Sequence, residues 1–133
     1  MLYPCNYGYI PHTLSLDGDP VDVLIASFMP IIHGAVMRCR PIGMLDMTDE
    51  AGDDSKILAV PIDKVSKFNR NVIGYRDLQP ALLDKISHFF EHYKDLEPEK
   101  WVKVYGCRNT QAAHDEIKDS LQRYAELPEK PNF

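Results

Sequence analysis

The sequence has no excess of positive charge, no long apolar run and no pattern of paired cysteines. Its 15 Lys and Arg are outnumbered by 20 Asp and Glu, which gives a formal net charge of -5. Nucleic acids and anionic membranes attract clustered positive charge, so neither is expected as a partner. The longest apolar run, from Val23 to Ile32, is interrupted by Ser27 and Pro30 and is shorter than the roughly 20 residues that cross a bilayer.

The start of the chain and its cysteines both favour a cytoplasmic protein. Residues 1–4 include neither a basic lead nor an apolar stretch, so no signal peptide is expected. The three cysteines are an odd number without CxxC spacing, which argues against a disulfide framework. A chain of 133 residues with 44% apolar composition can bury a core, and we expect a single domain over residues 1–133.

The acidic residues are concentrated in the first two-fifths of the chain. Residues 1–54 contain eight acids and two bases, a net charge of -6, whereas the remaining 79 residues contain 12 acids and 13 bases. Two acidic clusters of this kind have two explanations. They are either separate solvated loops, or carboxylates that converge on a bound cation, for which carboxylate oxygen is a common ligand.

The pattern of apolar residues predicts strands followed by a helix, a strand and a final helix. Runs of β-branched and apolar residues predict strands at residues 21–32, 35–45, 56–62 and 101–105. Residues 46–55 are interpreted as a turn. Apolar residues at helical spacing predict two helices, around residues 82–93 and 110–125. This order predicts a mainly β domain with helices (α+β), in which a small barrel or sheet has helices packed outside it.

The first acidic cluster has a defined geometry in the sequence. Asp17, Asp19 and Asp22 place three carboxylates close together, and Gly18 and Pro20 between them favour a tight, fixed turn. Carboxylates are the ligands that hard cations such as Mg²⁺ prefer. Their relative positions differ from those of a calcium-binding EF-hand. From the spacing alone, a metal site and a solvated acidic turn both remain open.

The residues from Asp17 to Val23, Asp-Gly-Asp-Pro-Val-Asp-Val, resemble the signature of soluble family I inorganic pyrophosphatases of the bacterial type. Further stretches are similar to that family at residues 3–10, 38–43, 47–54, 88–97 and 101–104. The resemblance covers nearly all of the chain, in order. It implies an OB-like β-barrel, packed by two α-helices, that hydrolyses inorganic diphosphate to two phosphates with several Mg²⁺ ions per site.

The resemblance also implies roles for individual residues. Asp19 matches the acid that accepts the proton of the attacking water. The metal-site carboxylates match at Asp17, Asp22, Asp49 and Asp54. The groups that hold the phosphates match at Tyr7, Lys56, Tyr93 and Lys94. Without the family, these last four would be interpreted as ordinary surface or core-edge residues.

Full-length bacterial members of the family extend well upstream of the stretch that matches residues 3–10, and we find no counterpart of that segment in this sequence. That segment normally contributes early strands of the barrel, a metal-site glutamate, and a lysine and an arginine that hold phosphate. We therefore expect an N-terminally truncated domain that keeps the metal-binding corner and has weak or no diphosphatase activity. The alternative is a non-catalytic remnant of the barrel that binds metal or oligomerises without turnover.

Two histidines on the first predicted helix allow two further interpretations. His88 and His92, with Glu91 between them, satisfy the HxxEH pattern of inverted zinc peptidases and share a helix face. The resemblance instead makes His88, His92 and Asp95 candidates for a subunit interface, because this helix commonly lies at a subunit contact in bacterial pyrophosphatases. It implies a homo-oligomer, which is a hexamer in bacterial relatives.

Overall fold

A computed structural model describes residues 4–27 and 30–133, and within these ranges six strands form one mixed sheet with two helices packed against it. The strands are β1 (Asn6–Ile10), β2 (Val21–Ile25), β3 (Cys39–Asp49), β4 (Gly52–Asp53), β5 (Lys56–Pro61) and β6 (Val102–Arg108). The helices are α1 (Pro80–His92) and α2 (Thr110–Ala125), and a short 3-10 turn covers Tyr75–Asp77. The predicted class, mainly β with two helices, is confirmed.

The sheet has the order β1-β2-β5-β3-β4, and β6 pairs with residues 44–49 of β3. Only the pairing of β2 with β5 is parallel among the described strands; the others are antiparallel. Every residue of β5 is buried, which explains its unbroken apolar sequence after the first lysine. In the parallel pair Val23 lies opposite Ile57, so Asp22 lies beside Lys56 where the two strands begin.

The sheet separates two apolar layers, because successive side chains of a strand point to opposite faces. On one face, Leu58 and Val60 of β5 pack with Phe90 of α1. On the other face, Ile57 and Ala59 pack with the part of α2 around Ala113. The helices therefore lie on opposite sides of the sheet, and each buries one stripe of apolar residues. No helix in the described part of the chain is long and apolar enough to cross a bilayer.

Strand β3 differs most from the sequence prediction, which places a turn at residues 46–55. The strand instead continues to Asp49, and Gly52–Asp53 forms the short β4 beside it. Met47 is fully buried and pairs with Val104 of β6, and this distant pairing outweighs the local acidic composition. Two irregularities in register, near residues 41–43 and 46–47, allow the long strand to bend between its partners.

Strand β1 has no counterpart among the predicted strands, and the remaining boundaries follow the predictions with local shifts. The strand predicted from residue 21 ends at Ile25, and residues 28–29 of that stretch lie outside the described residues, as does Tyr3 of the family stretch. The strand predicted from residue 35 begins at Cys39. Helix α2 has the predicted bounds, and its start is fixed by the Asn109 side chain, which accepts a hydrogen bond of 2.9 Å from the amide of Ala112.

We predict that Gly43→Ala destabilises the domain, because its new Cβ would lie 2.9 Å from the backbone oxygen of Arg108 and 3.1 Å from Tyr75. A backbone atom cannot move away as a flexible side chain would. We expect a loss of about 1–3 kcal/mol in the free energy of unfolding, measured by urea denaturation. Gly74→Ala is the matched control, since no heavy atom lies within 4 Å of that Cβ. Equal stability of the two variants would contradict this account of β3 packing.

Candidate active site

The first acidic cluster forms a tight corner between β1 and β2. Oδ1 of Asp17 accepts a hydrogen bond of 3.0 Å from the backbone amide of Asp19. The Ser15 amide donates to the Asp19 carbonyl at 2.7 Å and closes the turn. Gly18 has a φ of +91°, a conformation that favours glycine. The corner leaves the Asp17 and Asp19 side chains exposed and places Asp22 on β2, as the Gly and Pro spacing predicts.

The second acidic cluster is brought to the same place by the sheet. Asp49 is the last residue of β3, and Asp54 lies between β4 and β5, where its amide donates to the Met47 carbonyl at 3.0 Å. Because β5 runs parallel to β2, the residues that enter β5 lie beside those that enter β2. Asp54 consequently approaches Asp22, although the two are distant in the sequence.

Lys56 joins the two acidic clusters. Its side chain is only 2% exposed, and Nζ lies 2.9 Å from Oδ2 of Asp22 and 3.3 Å from Oδ2 of Asp54. Nζ also donates to the Tyr7 hydroxyl at 3.3 Å. The aromatic rings of Tyr7 and Phe90 lie 5.5 and 5.3 Å from the same nitrogen. A buried ammonium group is thus surrounded by two carboxylates, a hydroxyl and two aromatic rings, which together offset its loss of hydration.

Lys94 forms a second ion-pair group next to the first. Its Nζ lies 2.9 Å from Oδ2 of Asp49 and 3.3 Å from Oε2 of Glu50. It also lies 5.6 Å from the ring centroid of Tyr93, the residue that follows the last residue of α1. Tyr93 packs in turn on Phe90, with ring centroids 5.3 Å apart. The end of α1 therefore connects the two lysines through aromatic packing.

Burial shapes the protonation of the carboxylates at the site. Desolvation, with smaller contributions from Asp22 and Asp49, raises the pKa of Asp54 from 3.8 to about 6, against the opposing charge of Lys56. Desolvation also raises the pKa of Asp17, to which Asp19 and Asp22 add repulsion. These interactions show that carboxylates of both clusters are close enough to repel one another.

The pKa values of Lys56, Lys94 and Tyr93 are also raised, whereas the pKa of Asp49 is lowered. Burial disfavours the charged forms of Lys56 and Lys94, but the carboxylates around them more than compensate, so the pKa of each ammonium is raised. Burial acts to raise the pKa of Asp49 as well, and the hydrogen bond from Lys94 and those from the backbone lower it overall. Burial raises the pKa of Tyr93, so its hydroxyl is a protonated donor at neutral pH.

The donor set is suited to a hard divalent cation, because the residues that converge offer carboxylate oxygens and no thiolate or imidazole. In this arrangement the ammonium of Lys56 lies between Asp22 and Asp54. Within residues 4–27 and 30–133, no three His, Cys, Asp or Glu side chains are grouped so that they could hold a metal ion together. The residues that could hold metal are thus present, and in this structure they are paired with lysine.

Three features of the site were not anticipated from the sequence. Glu50 shares Lys94 with Asp49, and Phe90 lies against Lys56. Ser55 donates to Asp46 at 3.2 Å and to Asp53 at 3.0 Å, which holds the strand entering β5 beside β3. Phe90 could have been found by helical spacing, since it lies one turn before Tyr93 on α1. The Glu50 contact depends on the distant end of α1 and has no local signal.

The structure defines a class of site in which carboxylates and lysines share one buried centre on a mixed sheet with two helices. A family model described as inorganic pyrophosphatase matches residues 1–125. The inorganic pyrophosphatase of Escherichia coli (strain K12) is 58% identical over 123 residues, which are 92% of this chain and 70% of the relative. That of Salmonella typhimurium (strain LT2) is 58% identical over 125 residues, 94% of this chain and 71% of the relative.

Solved structures agree with the sequence relatives. The inorganic pyrophosphatase of Helicobacter pylori superposes with a TM-score of 0.90 at 47% identity, covering 92% of this chain and 72% of that chain. That of Coxiella burnetii superposes with a TM-score of 0.91 at 50% identity, covering 93% and 74%. This chain belongs to the inorganic pyrophosphatase family.

We predict that Asp54 makes the metal-free protein less stable as the pH rises. Because its pKa is raised, Asp54 between about pH 4 and pH 6 carries a proton in the folded state and loses it in the unfolded state. The stability that comes from neutral Asp54 is therefore present below about pH 4 and lost as the pH passes about 6. Asp54→Asn should remove about 1–2 kcal/mol of this pH-dependent loss, less than the full shift implies because solvent screens part of it. Urea unfolding of the wild type and of Asp54→Asn, in a chelator at pH 4.5 and pH 7.5, measures the difference. If both proteins lost the same stability between the two pH values, the assignment would be contradicted.

We also predict that Lys56→Met destabilises the metal-free protein by about 2–4 kcal/mol at pH 8, because it leaves Asp22 and Asp54 without their buried partner. The loss should be smaller at pH 5, where Asp54 can take up a proton. Lys103→Met, at an exposed position of β6, is the control and should change stability little. Thermal and urea unfolding at both pH values test this, and a loss independent of pH would count against it.

Proposed function

We propose that this chain hydrolyses inorganic diphosphate to two phosphates, a hydrolase acting on a phosphoanhydride bond. Membership of the pyrophosphatase family supports this reaction. The observation that carries it in the structure is the convergence of Asp22 and Asp54 on Lys56. Crowded carboxylates are tolerable only with cations between them, and a diphosphate anion needs those same cations for binding.

We propose that Mg²⁺ is the cofactor, in more than one copy. Family membership implies metal dependence, and the all-carboxylate donor set suits a hard cation. The residues that would hold it are Asp17, Asp22 and Asp54, with Asp49 as a further carboxylate. When bound, such ions lower the pKa of water near neutral pH and offset the negative charge of the phosphates.

The side chains of the site have separate roles in this proposal. Lys56 and Lys94 provide positive charge for phosphate oxygens, and both are already held in place by their carboxylate partners. The hydroxyl groups of Tyr7 and Tyr93 donate hydrogen bonds without adding charge. Asp19, exposed at the corner beside Asp17, accepts the proton of the attacking water.

Release of phosphate from diphosphate in the presence of Mg²⁺ tests the proposal. Asp19→Asn should lower the rate by about a hundredfold or more, because it removes the proton acceptor. Asp119→Asn, an exposed position on α2 far along the chain from the site, is the matched control and should leave the rate unchanged. The E. coli relative, assayed alongside, provides a reference rate for the reaction.

The rival proposal is a module that binds metal without turnover, and it makes a different prediction in the same experiment. Calorimetry would then show Mg²⁺ binding that depends on Asp54, while no phosphate appears at any concentration of Mg²⁺ or diphosphate. Phosphate release that is equal in wild type and Asp19→Asn would contradict the role of Asp19 but not the reaction itself.

The proposal also covers the oligomeric state of the protein and its cellular compartment. We propose a homo-oligomer with His88, His92 and Asp95 at the interface, formed by a single domain over residues 1–133 in the cytoplasm. The three residues support an interface because all are exposed and lie together near the end of α1. Sedimentation of the wild type and of His92→Ala at equal concentration tests this assignment.

A further inference from the structure

Helix α2 packs on the face of the sheet opposite to α1, and its last two turns hold the chain that enters the acidic corner (residues 15–19). Nε of Arg123 donates to the Leu14 carbonyl at 2.7 Å. The Leu14 amide donates to the Ser120 carbonyl at 3.1 Å. Both backbone polar groups of Leu14, shortly before Asp17, are therefore bound by α2.

The Arg123 guanidinium is itself held in place by two residues of α2. Its Nη2 donates to Oε1 of Glu116 at 2.6 Å and to Oγ of Ser120 at 3.1 Å. Ser120 is fully buried, and its hydroxyl donates to the Glu116 carbonyl at 2.6 Å. Because Nε and Nη2 belong to one rigid plane, the bonds of Nη2 fix the direction in which Nε reaches the Leu14 carbonyl.

The hydrogen bonds that follow Leu14 connect its position to that of the aspartates. The amide of Ser15, the next residue, donates to the Asp19 carbonyl at 2.7 Å and closes the turn. Within the turn, the Asp19 amide donates to Oδ1 of Asp17 at 3.0 Å. A turn closed in this way moves as a unit. The position of Leu14 at its entrance therefore influences where both carboxylates lie.

Thr13 ties the two ends of the corner to the sheet. Its hydroxyl donates to the Ile10 carbonyl at the end of β1 at 2.6 Å and accepts from the Val21 amide at the start of β2 at 3.0 Å. The residue is fully buried. Since Thr13 fixes the base of the corner, the tilt of the turn relative to the sheet depends on the contacts of Leu14 with α2.

The tilt of the turn matters because Asp17 lies close to other charged groups of the candidate active site. Burial is the main influence on the pKa of Asp17, which it raises, and the charges of Asp22 and Lys56 also affect that pKa. Mg²⁺ demands nearly ideal octahedral geometry, so a carboxylate that is displaced from its neighbours contributes less to binding. The orientation of the corner is therefore a property on which metal affinity depends.

We propose that Arg123 is a positioning residue, which is held by Glu116 and fixes Leu14 so that Asp17 faces the other metal-site carboxylates. For its consequence in the reaction, this inference rests on the proposed Mg²⁺-dependent hydrolysis. Arg123 contacts neither the ion nor diphosphate and acts only through the backbone of Leu14. Its loss therefore weakens the binding of Mg²⁺ and changes the rate little once the ions are bound.

Amide hydrogen exchange of the full chain in a chelator tests the structural step without metal. In Arg123→Met, the amides of Leu14 and Ser15 should exchange about tenfold faster, because the corner opens locally, while the amides of β5 keep their rates. Arg123→Lys keeps the charge but not the rigid plane, so its effect should be intermediate. Lys118→Met removes a positive charge from an exposed position of α2, and as the matched control it should change neither set of rates.

Magnesium binding and phosphate release test the consequence for the site. In Arg123→Met, calorimetry should give a Mg²⁺ affinity that is weaker by about tenfold. The Mg²⁺ concentration that gives half the maximal rate of phosphate release should rise by the same factor, while the maximal rate changes little. In Asp17→Asn, the further change Arg123→Met should not weaken Mg²⁺ binding again, because the carboxylate through which it acts is gone.

Three results would overturn the proposal. Equal acceleration of exchange in the corner and in β5 would show that Arg123 only stabilises the fold. An unchanged Mg²⁺ affinity in Arg123→Met would separate it from the metal-binding residues, and additive effects with Asp17→Asn would do the same. If Arg123→Met does not fold, Glu116→Gln allows the same measurements and should show a smaller change in the same direction. A wild type that binds Mg²⁺ but releases no phosphate would contradict the proposed hydrolysis, while exchange and calorimetry would still decide the role of Arg123.

Discussion

The buried ammonium of Lys56 is the interaction on which the arrangement of the site depends. Two carboxylates from distant parts of the chain meet within 3.3 Å of its nitrogen, at a position where water has little access. Without a cation there, their mutual repulsion in a poorly hydrated environment would oppose the pairing of β2 with β5. The lysine thus allows the sheet to close with the carboxylates of Asp22 and Asp54 side by side.

The parallel pairing of β2 and β5 is what converts two acidic clusters into one centre. In an antiparallel pair the start of one strand would lie beside the end of the other, and Asp22 would be far from Lys56. The crossover through β3 makes the parallel arrangement possible, because it carries the chain back before β5 begins. Topology therefore provides what local sequence cannot, namely the convergence of acids that are far apart in the chain.

The parts of the structure that could be predicted from the sequence are those with local causes. The corner around Asp17 follows from Gly18, and the start of α2 follows from the cap at Asn109. The length of β3 could not be predicted, because its acidic end is held in strand form by pairing with β6. Similarly, the 52% exposure of Trp101 could not be predicted, because the residue lies just before β6 and outside both apolar layers. For the site, residue types and order were informative, while the contacts of Glu50 and Phe90 required the assembled fold.

Strand β3 has neighbours on both edges and apolar layers on both faces. Met47 faces the layer that contains α1, and Met44 faces the layer that contains α2. If either apolar layer separated from the sheet, it would expose β3, on which the other layer also packs. The two layers therefore cannot unfold independently. The domain should therefore unfold in one cooperative step. A ligand that binds at the acidic end of β3 stabilises both apolar layers at once.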